Sequence, residues 1–297
     1  MTNDIETLLT ALYVKIDDEL AGPRWTGRPP VLTDPELVCV AVAQALLGFA
    51  SEAHWLRYAR KHLSGLFPYL PQQSGYNKRL RAALGLVKRA IRMLATSSDF
   101  WIDDCWVVDS TSVPCGMSRP TVKRSDLAGW AGYGYCASHS RFCWGLKLYL
   151  VCTPSGMPIL WALADPKIGE REVLAAMLEV DAGVVASHDG ILLICDKGFA
   201  GKDFETLLGD SGITMLRPSR KDEKARYGEP MLKKVRQLIE SVNDTLKGQL
   251  DLEDHGGRSF RGVAIRVAQR VLAMAAAIWH NHMTNAPIIR SLIAYDR

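Results

Sequence analysis

The run Ile191-Leu-Leu-Ile-Cys-Asp196-Lys-Gly-Phe199 decides the fold class of this chain. Its opening residues are uniformly apolar, as a strand buried on both faces requires, and they stop at a carboxylate. Gly198 permits an unusual backbone angle, so the run reads as a strand entering a turn. Around it, Glu170 to Val180 and Lys202 to Leu208 read as helices, and Ile213 to Arg217 as a further strand. Upstream, Trp106-Val-Val-Asp-Ser-Thr-Ser-Val113 is strand-like. Phe142 to Cys152 and Met157 to Ala164 form a hairpin across Thr153-Pro-Ser-Gly156. Two long helices close the chain, near 230–250 and 259–283. The order β-β-β-α-β-α-β-α predicts an α/β domain over 99–297 with one mixed, five-stranded sheet, its first three strands antiparallel.

The beginning differs. Residues 3–20 read as an amphipathic helix, followed by a Gly/Pro-rich turn at 22–30. Thr33-Asp-Pro-Glu36 is a capping box with proline in the first turn, opening a helix to about Leu47. Ser51 caps another through His62, and Ser74 starts a basic helical stretch to Leu94. Residues 1–98 are therefore expected to form an all-helical domain.

Charge is distributed unevenly along that domain. Residues 1–52 carry three basic and eight acidic side chains, whereas 53–98 carry nine basic and none acidic. A cationic block without carboxylates is the footprint of a surface that meets a polyanion, because a merely solvated face mixes signs. Arg79, Arg81, Lys88, Arg89 and Arg92 are the residues proposed to touch DNA there. The acidic start has no signal-peptide pattern, and Val271 to Trp279 is too short to span a bilayer, so a soluble, cytoplasmic protein without a membrane partner is expected. Seven cysteines, odd in number, read as reduced core thiols. Cys136-x2-His139-x3-Cys143 lacks the spacing of a zinc ribbon or finger and is read as a loop and strand start.

Three carboxylates carry the chemistry. Asp109 and Asp196 each end or interrupt an apolar strand, where a lone charge is costly unless paired or coordinated. Either alone is better explained by a turn cap or turn hydrogen bond. The third lies in Lys233-Lys-Val-Arg236-Gln-Leu-Ile-Glu240-Ser-Val-Asn-Asp-Thr-Leu-Lys247. At about 100° per residue, Arg236, Glu240 and Lys247 fall within roughly 60° on a continuous helix, opposite an apolar face. If the two strands are neighbours, both aspartates face one divalent ion and Glu240 completes the shell of a second. All-oxygen ligation favours Mg2+ or Mn2+, and two such ions suit phosphodiester chemistry.

Asp196-x-Gly-Phe199 followed by Arg236-x3-Glu240-x6-Lys247 resembles the signature of DDE transposases of bacterial insertion sequences. Asp109 in Val-Val-Asp-Ser-Thr matches the first aspartate, and the likeness runs from about 100 to 275. Where the motif has tyrosine, this chain has Lys233. The resemblance implies an RNase H-like core that cleaves the ends of a mobile element and joins the freed 3′-hydroxyl to target DNA. It also implies double-stranded DNA as partner, a homodimer to bring two ends together, and a bacterial cytoplasm as its setting. Arg236 and Lys247 would hold phosphates, with Lys233, Lys197 and Lys147 as further candidates. A structure-selective nuclease without strand transfer, or an inactive DNA-binding relative, are the alternatives.

One segment stays open. Residues 114–145 interleave Arg119, Lys123, Arg124 and Arg141 with Trp130, Tyr133, Tyr135, Phe142 and Trp144. That composition suits an unpaired DNA end, with Lys123, Arg124 and Arg141 as contacts, and equally an ordered surface loop.

Overall fold

The computed structural model describes residues 2–20, 27–116, 118–136, 140–221, 223–286 and 292, with the side chains of 2–4, 233, 234 and 236 excepted. The chain divides into two compact units, 1–97 with 245–297, and 98–244. Most of the turn expected at 22–30 lies outside the described residues.

The first unit opens with α1 (Thr2–Glu19), α2 (Asp34–Leu46), α3 (Glu52–His62), α4 (Gln73–Ala82) and α5 (Leu84–Thr96). The capping box at α2 is complete: Thr33 Oγ1 accepts from the Glu36 N–H, and Glu36 returns a bond to the Thr33 N–H. Ser51 caps α3 with its hydroxyl alone, which accepts from the His54 N–H. The basic stretch expected to be one helix is two, broken at Ala83.

The second unit contains β1 (Cys105–Gly116), α6 (Arg119–Arg124), β2 (Gly132–Cys136), β3 (Arg141–Cys152), β4 (Pro158–Ala164), α7 (Glu170–Val180), α8 (Ala182–Val185), β5 (Ile191–Ile194), α9 (Lys202–Asp210), β6 (Ile213–Leu216) and α10 (Leu232–Asp244). Among the described residues the sheet is mixed and has six strands, not the five expected, in the order β2-β3-β1-β5-β6. β3 pairs antiparallel with β1 along one side, and with β2 and then β4 along the other. β5 and β6 continue the sheet in parallel. The strand that sequence reasoning missed, β2, is Gly132-Tyr-Gly-Tyr-Cys136, whose glycines disguise a two-residue alternation as a loop. Pro114 is tolerated within β1 because the ladder to β3 shifts register between Pro114 and Gly116. There Gly145 lies so close to the Val113 carbonyl that any Cβ would collide with backbone.

Alternation along β1 and β5 gives the sheet two distinct faces. Trp106, Val108, Leu193 and Cys195 point into a core built with Val173, Leu174 and Met177 of α7 and Phe204 and Leu208 of α9. Val107 and Ile194, one position off, belong to the opposite face, and α10 packs against β1.

The chain then leaves this unit. A π-helical turn, Thr245–Gln249, is followed by α11 (Phe260–Met283), which packs on α1, α2, α4 and α5. The closing helix, expected within the α/β domain, thus completes the helical unit instead. Among the described residues it alone is long and apolar enough to cross a membrane, and 94% of its most apolar window is buried within the protein. Two of its buried polar side chains tie it to α2 and α3: Arg266 pairs with Glu52, and Gln269 Nε2 donates to the Ala41 carbonyl at 2.6 Å.

Candidate active site

The register of two parallel strands sets the site. Val107 of β1 is paired with Ile194 of β5, so Asp109 and Asp196 each stand two positions further along adjacent chains. Parallel neighbours are about 4.8 Å apart and residues two apart share a face, so both aspartates emerge at one level on the α10 side. They line a small cavity of about 40 Å³ together with Val107, Val108, Ile194, Cys195, Ile239 and Glu240. The three acids expected from sequence are therefore brought together. Among the described residues no three His, Cys, Asp or Glu side chains close tightly enough to enclose an ion.

Each acid is positioned by its own element. Asp109 sits within the antiparallel ladder, opposite Leu150, and its Oδ2 accepts a 2.7 Å bond from Asn243 Nδ2. Asp196 caps the 3-10 turn Lys197–Phe199, its Oδ1 accepting from the Lys197 N–H at 2.6 Å. Glu240 is exposed on α10, next to buried Ile239, which anchors that helix. Burial pushes the Asp109 carboxyl up to about 6. The Ser110 N–H opposes the rise, and the charges of Asp196 and Glu170 add to it.

Two polar residues here were not anticipated. Asn243 stands three positions after Glu240, on the same helix face, a spacing that was legible in the sequence. Glu170, the first residue of α7, accepts from Lys147 Nζ at 2.7 Å and from Ser110 Oγ at 3.1 Å. Its other oxygen would lie 2.5 Å from a Cβ at position 198, so Gly198 makes room for a carboxylate as well as a turn.

The expected phosphate contacts fare unequally. The Lys147 ammonium is committed to Glu170. Lys197 is exposed beside Asp196. The side chains of Lys233 and Arg236 lie outside the described residues. Lys247 is not on the α-helix of Glu240, which ends at Asp244; it stands in the π turn that opens the returning segment of the helical unit. In the basic helices, Arg79 is held by an ion pair to Asp34 at 2.7 Å and by the Leu32 carbonyl. The acid missing from 53–98 is supplied by α2. Arg81, Lys88 and Arg89 are exposed, and Arg92 is half-buried. Lys123, Arg124 and Arg141 are exposed in the α/β unit. Cys136 and Cys143 are buried thiols, and His139 lies outside the described residues.

Two aspartates at matching levels on neighbouring parallel chains, one within β1 and one just past the end of β5, faced by a helix-borne glutamate, define a class of sheet-borne carboxylate centres. The family model for the transposase DDE domain matches residues 102–260, more than half the chain, and the chain belongs to that family. No curated relative matches it. Membership makes it a transposase-type enzyme acting on DNA.

Proposed function

We propose that the chain is a transposase of a bacterial insertion sequence, cutting DNA at the ends of its element and joining the freed 3′-hydroxyls to target DNA. The observation that carries this reading is the shared cavity of Asp109, Asp196 and Glu240; the mixed sheet, ordered β2-β3-β1-β5-β6 with β4 also paired to β3, supports an RNase H-like core.

DDE transposase domains generally use divalent metal ions. The donor set fits: three carboxylates, all oxygen, with two aspartates at one register level and, among the described residues, no arginine or lysine lining their cavity. Asp109, Asp196 and Glu240 would hold Mg2+ or Mn2+, two ions in number. When bound, they would supply acidification of an attacking hydroxyl or water and charge neutralisation at the leaving oxygen. The chain's own groups do the rest. Asn243 fixes the rotamer of Asp109, and Gly198 lets the Asp196 turn pass close to Glu170. Lys197, Lys233, Arg236 and Lys247 are proposed to hold backbone phosphates, and Arg81, Lys88, Arg89 and Arg92 to contact flanking duplex. A homodimer would hold two ends at once.

The test is a strand-transfer assay with labelled element ends, plasmid target and Mg2+ or Mn2+. Asp109→Ala, Asp196→Ala and Glu240→Ala should each abolish both steps while duplex binding persists. Full activity in any of them would sink the assignment, and cleavage without joining would favour a nuclease.

A further inference from the structure

We propose that the ribbon of β2 and β3, with α6 at its root, is a stacking platform for unpaired DNA bases. It rests on the chain acting on DNA, but not on the carboxylate centre.

The ribbon builds an aromatic face by register alone. Tyr133 is paired with Trp144 and Tyr135 with Phe142, and directly opposed residues project from the same side of a sheet. Trp144 is 4% exposed and roots the face, whereas Tyr133, Tyr135 and Phe142 are 51%, 57% and 70% exposed. Tyr135 and Phe142 meet edge to face at 5.4 Å. Three large rings held in water in this way are costly for a surface with no partner.

The reverse side explains why the rings cannot simply fold away. A Cβ on Gly132 would strike the Asp165 carboxylate, and one on Gly134 would lie 2.5 Å from Pro166 Cβ. The segment after β4 thus presses on the glycines, and the tyrosines are left to the open side. The platform is preorganised rather than a loose loop.

Charge identifies the occupant. Gly116 lies against both Trp144 and Thr121, which places α6 at the root of the aromatic face. Arg119, Lys123 and Arg124 of α6 are exposed, as is Arg141 at the ribbon's end; within 114–145 the one acid is Asp126, and the Asp165 carboxylate lies on the reverse, glycine side of the ribbon. Cations that track a phosphate backbone beside rings that stack on bases match single-stranded nucleic acid. Bases within a duplex are already stacked and offer no free faces, so the platform selects splayed or single-stranded segments next to a cut end.

Fluorescence anisotropy in EDTA tests this, comparing a blunt duplex with the same duplex bearing a short unpaired tail. The intact protein should bind the tailed form about tenfold or more tightly, and 2-aminopurine in the tail should be quenched on binding. Tyr135→Ser/Phe142→Ser should lose that preference and the quenching, with blunt-duplex affinity unchanged. Phe142→Trp should keep both, which guards against misfolding in the double variant. Equal affinity of the intact protein for the two forms, or an equal loss on both in the double variant, overturns the platform. Because no metal is present, the outcome is independent of catalysis: a chain that joins ends but ignores tails loses only this proposal.

Discussion

Asn243 Nδ2 donates to Asp109 Oδ2 at 2.7 Å, linking α10 to β1 one helical turn beyond Glu240. The same helix therefore supplies one acid of the centre and orients another. Asn243→Ala should leave Asp109 in place but free to rotate, at a stability cost of about 1 kcal/mol for one hydrogen bond. Cleavage should fall about tenfold in kcat with little change in KM, well short of the loss in Asp109→Ala. An unchanged kcat would show that the bond is structural only.

Gly198→Ala tests the close passage of the Asp196 turn over Glu170. The new Cβ would lie 2.5 Å from Glu170 Oε2, and that carboxylate is already tied to Lys147 and Ser110. Cleavage should drop several-fold without much change in melting temperature. Adding Glu170→Asp, which shortens the side chain, should recover part of it. Additive losses in the double variant would count against the contact.

Arg217 anchors the loop that leads from β6 towards α10. Its side chain is 2% exposed and donates to Glu205 and Glu223, while Arg226 shares Glu205. Removing a buried cation from two partners costs about 3 kcal/mol, the low end for buried pairs because both acids remain partly solvated. In Arg217→Ala, hydrogen-exchange protection of the β6 amides should fall by about that amount. Protection equal to that of the parent protein would contradict the anchoring role.

The same network predicts an acid limit. The Arg217 guanidinium, then the Arg220 N–H, hold the Glu223 carboxyl at about 2, from an ordinary 4.5. A depressed carboxylate contributes stability that is whole above its unfolded pKa and is lost as pH falls through the folded one. Protection of β6 should therefore decline between pH 4.5 and 2. In Glu223→Gln the decline should be shallower and the plateau above pH 5 lower. Identical pH profiles would refute the linkage.

What the sequence disclosed depended on how local each signal was. Asp109, Asp196 and Glu240 were legible because each is a charge beside an apolar run, and strand register then makes the two aspartates neighbours. Asn243 was legible only as a helix-face neighbour of Glu240, and Glu170 not at all, since a polar residue on a helix surface looks the same whether it faces water or a sheet. β2 was hidden because its buried side consists of Gly132 and Gly134, chosen for the approach of Asp165 and Pro166 rather than for hydrophobicity. The ion pair of Arg79 was hidden for another reason: its acid, Asp34, lies far away in sequence. The path of α11 back to the first unit likewise has no local signature, because an apolar helix does not announce which apolar faces it will cover.

That return path makes the order of synthesis matter. The α/β unit is an insertion between the two halves of the helical one, and α2 and α5 receive α11 against their apolar sides only after 260–283 exists. At about 5–20 residues per second, the ribosome delivers α11 roughly 10–40 s after α5. During that interval the early helices carry uncovered apolar surface while the inserted unit already has every strand it needs to fold. Messages cut short before codon 260 would thus yield a competent α/β unit tethered to a helical half exposed to proteases. Truncated copies would be cleared through their amino-terminal end, whatever the state of the carboxylate centre.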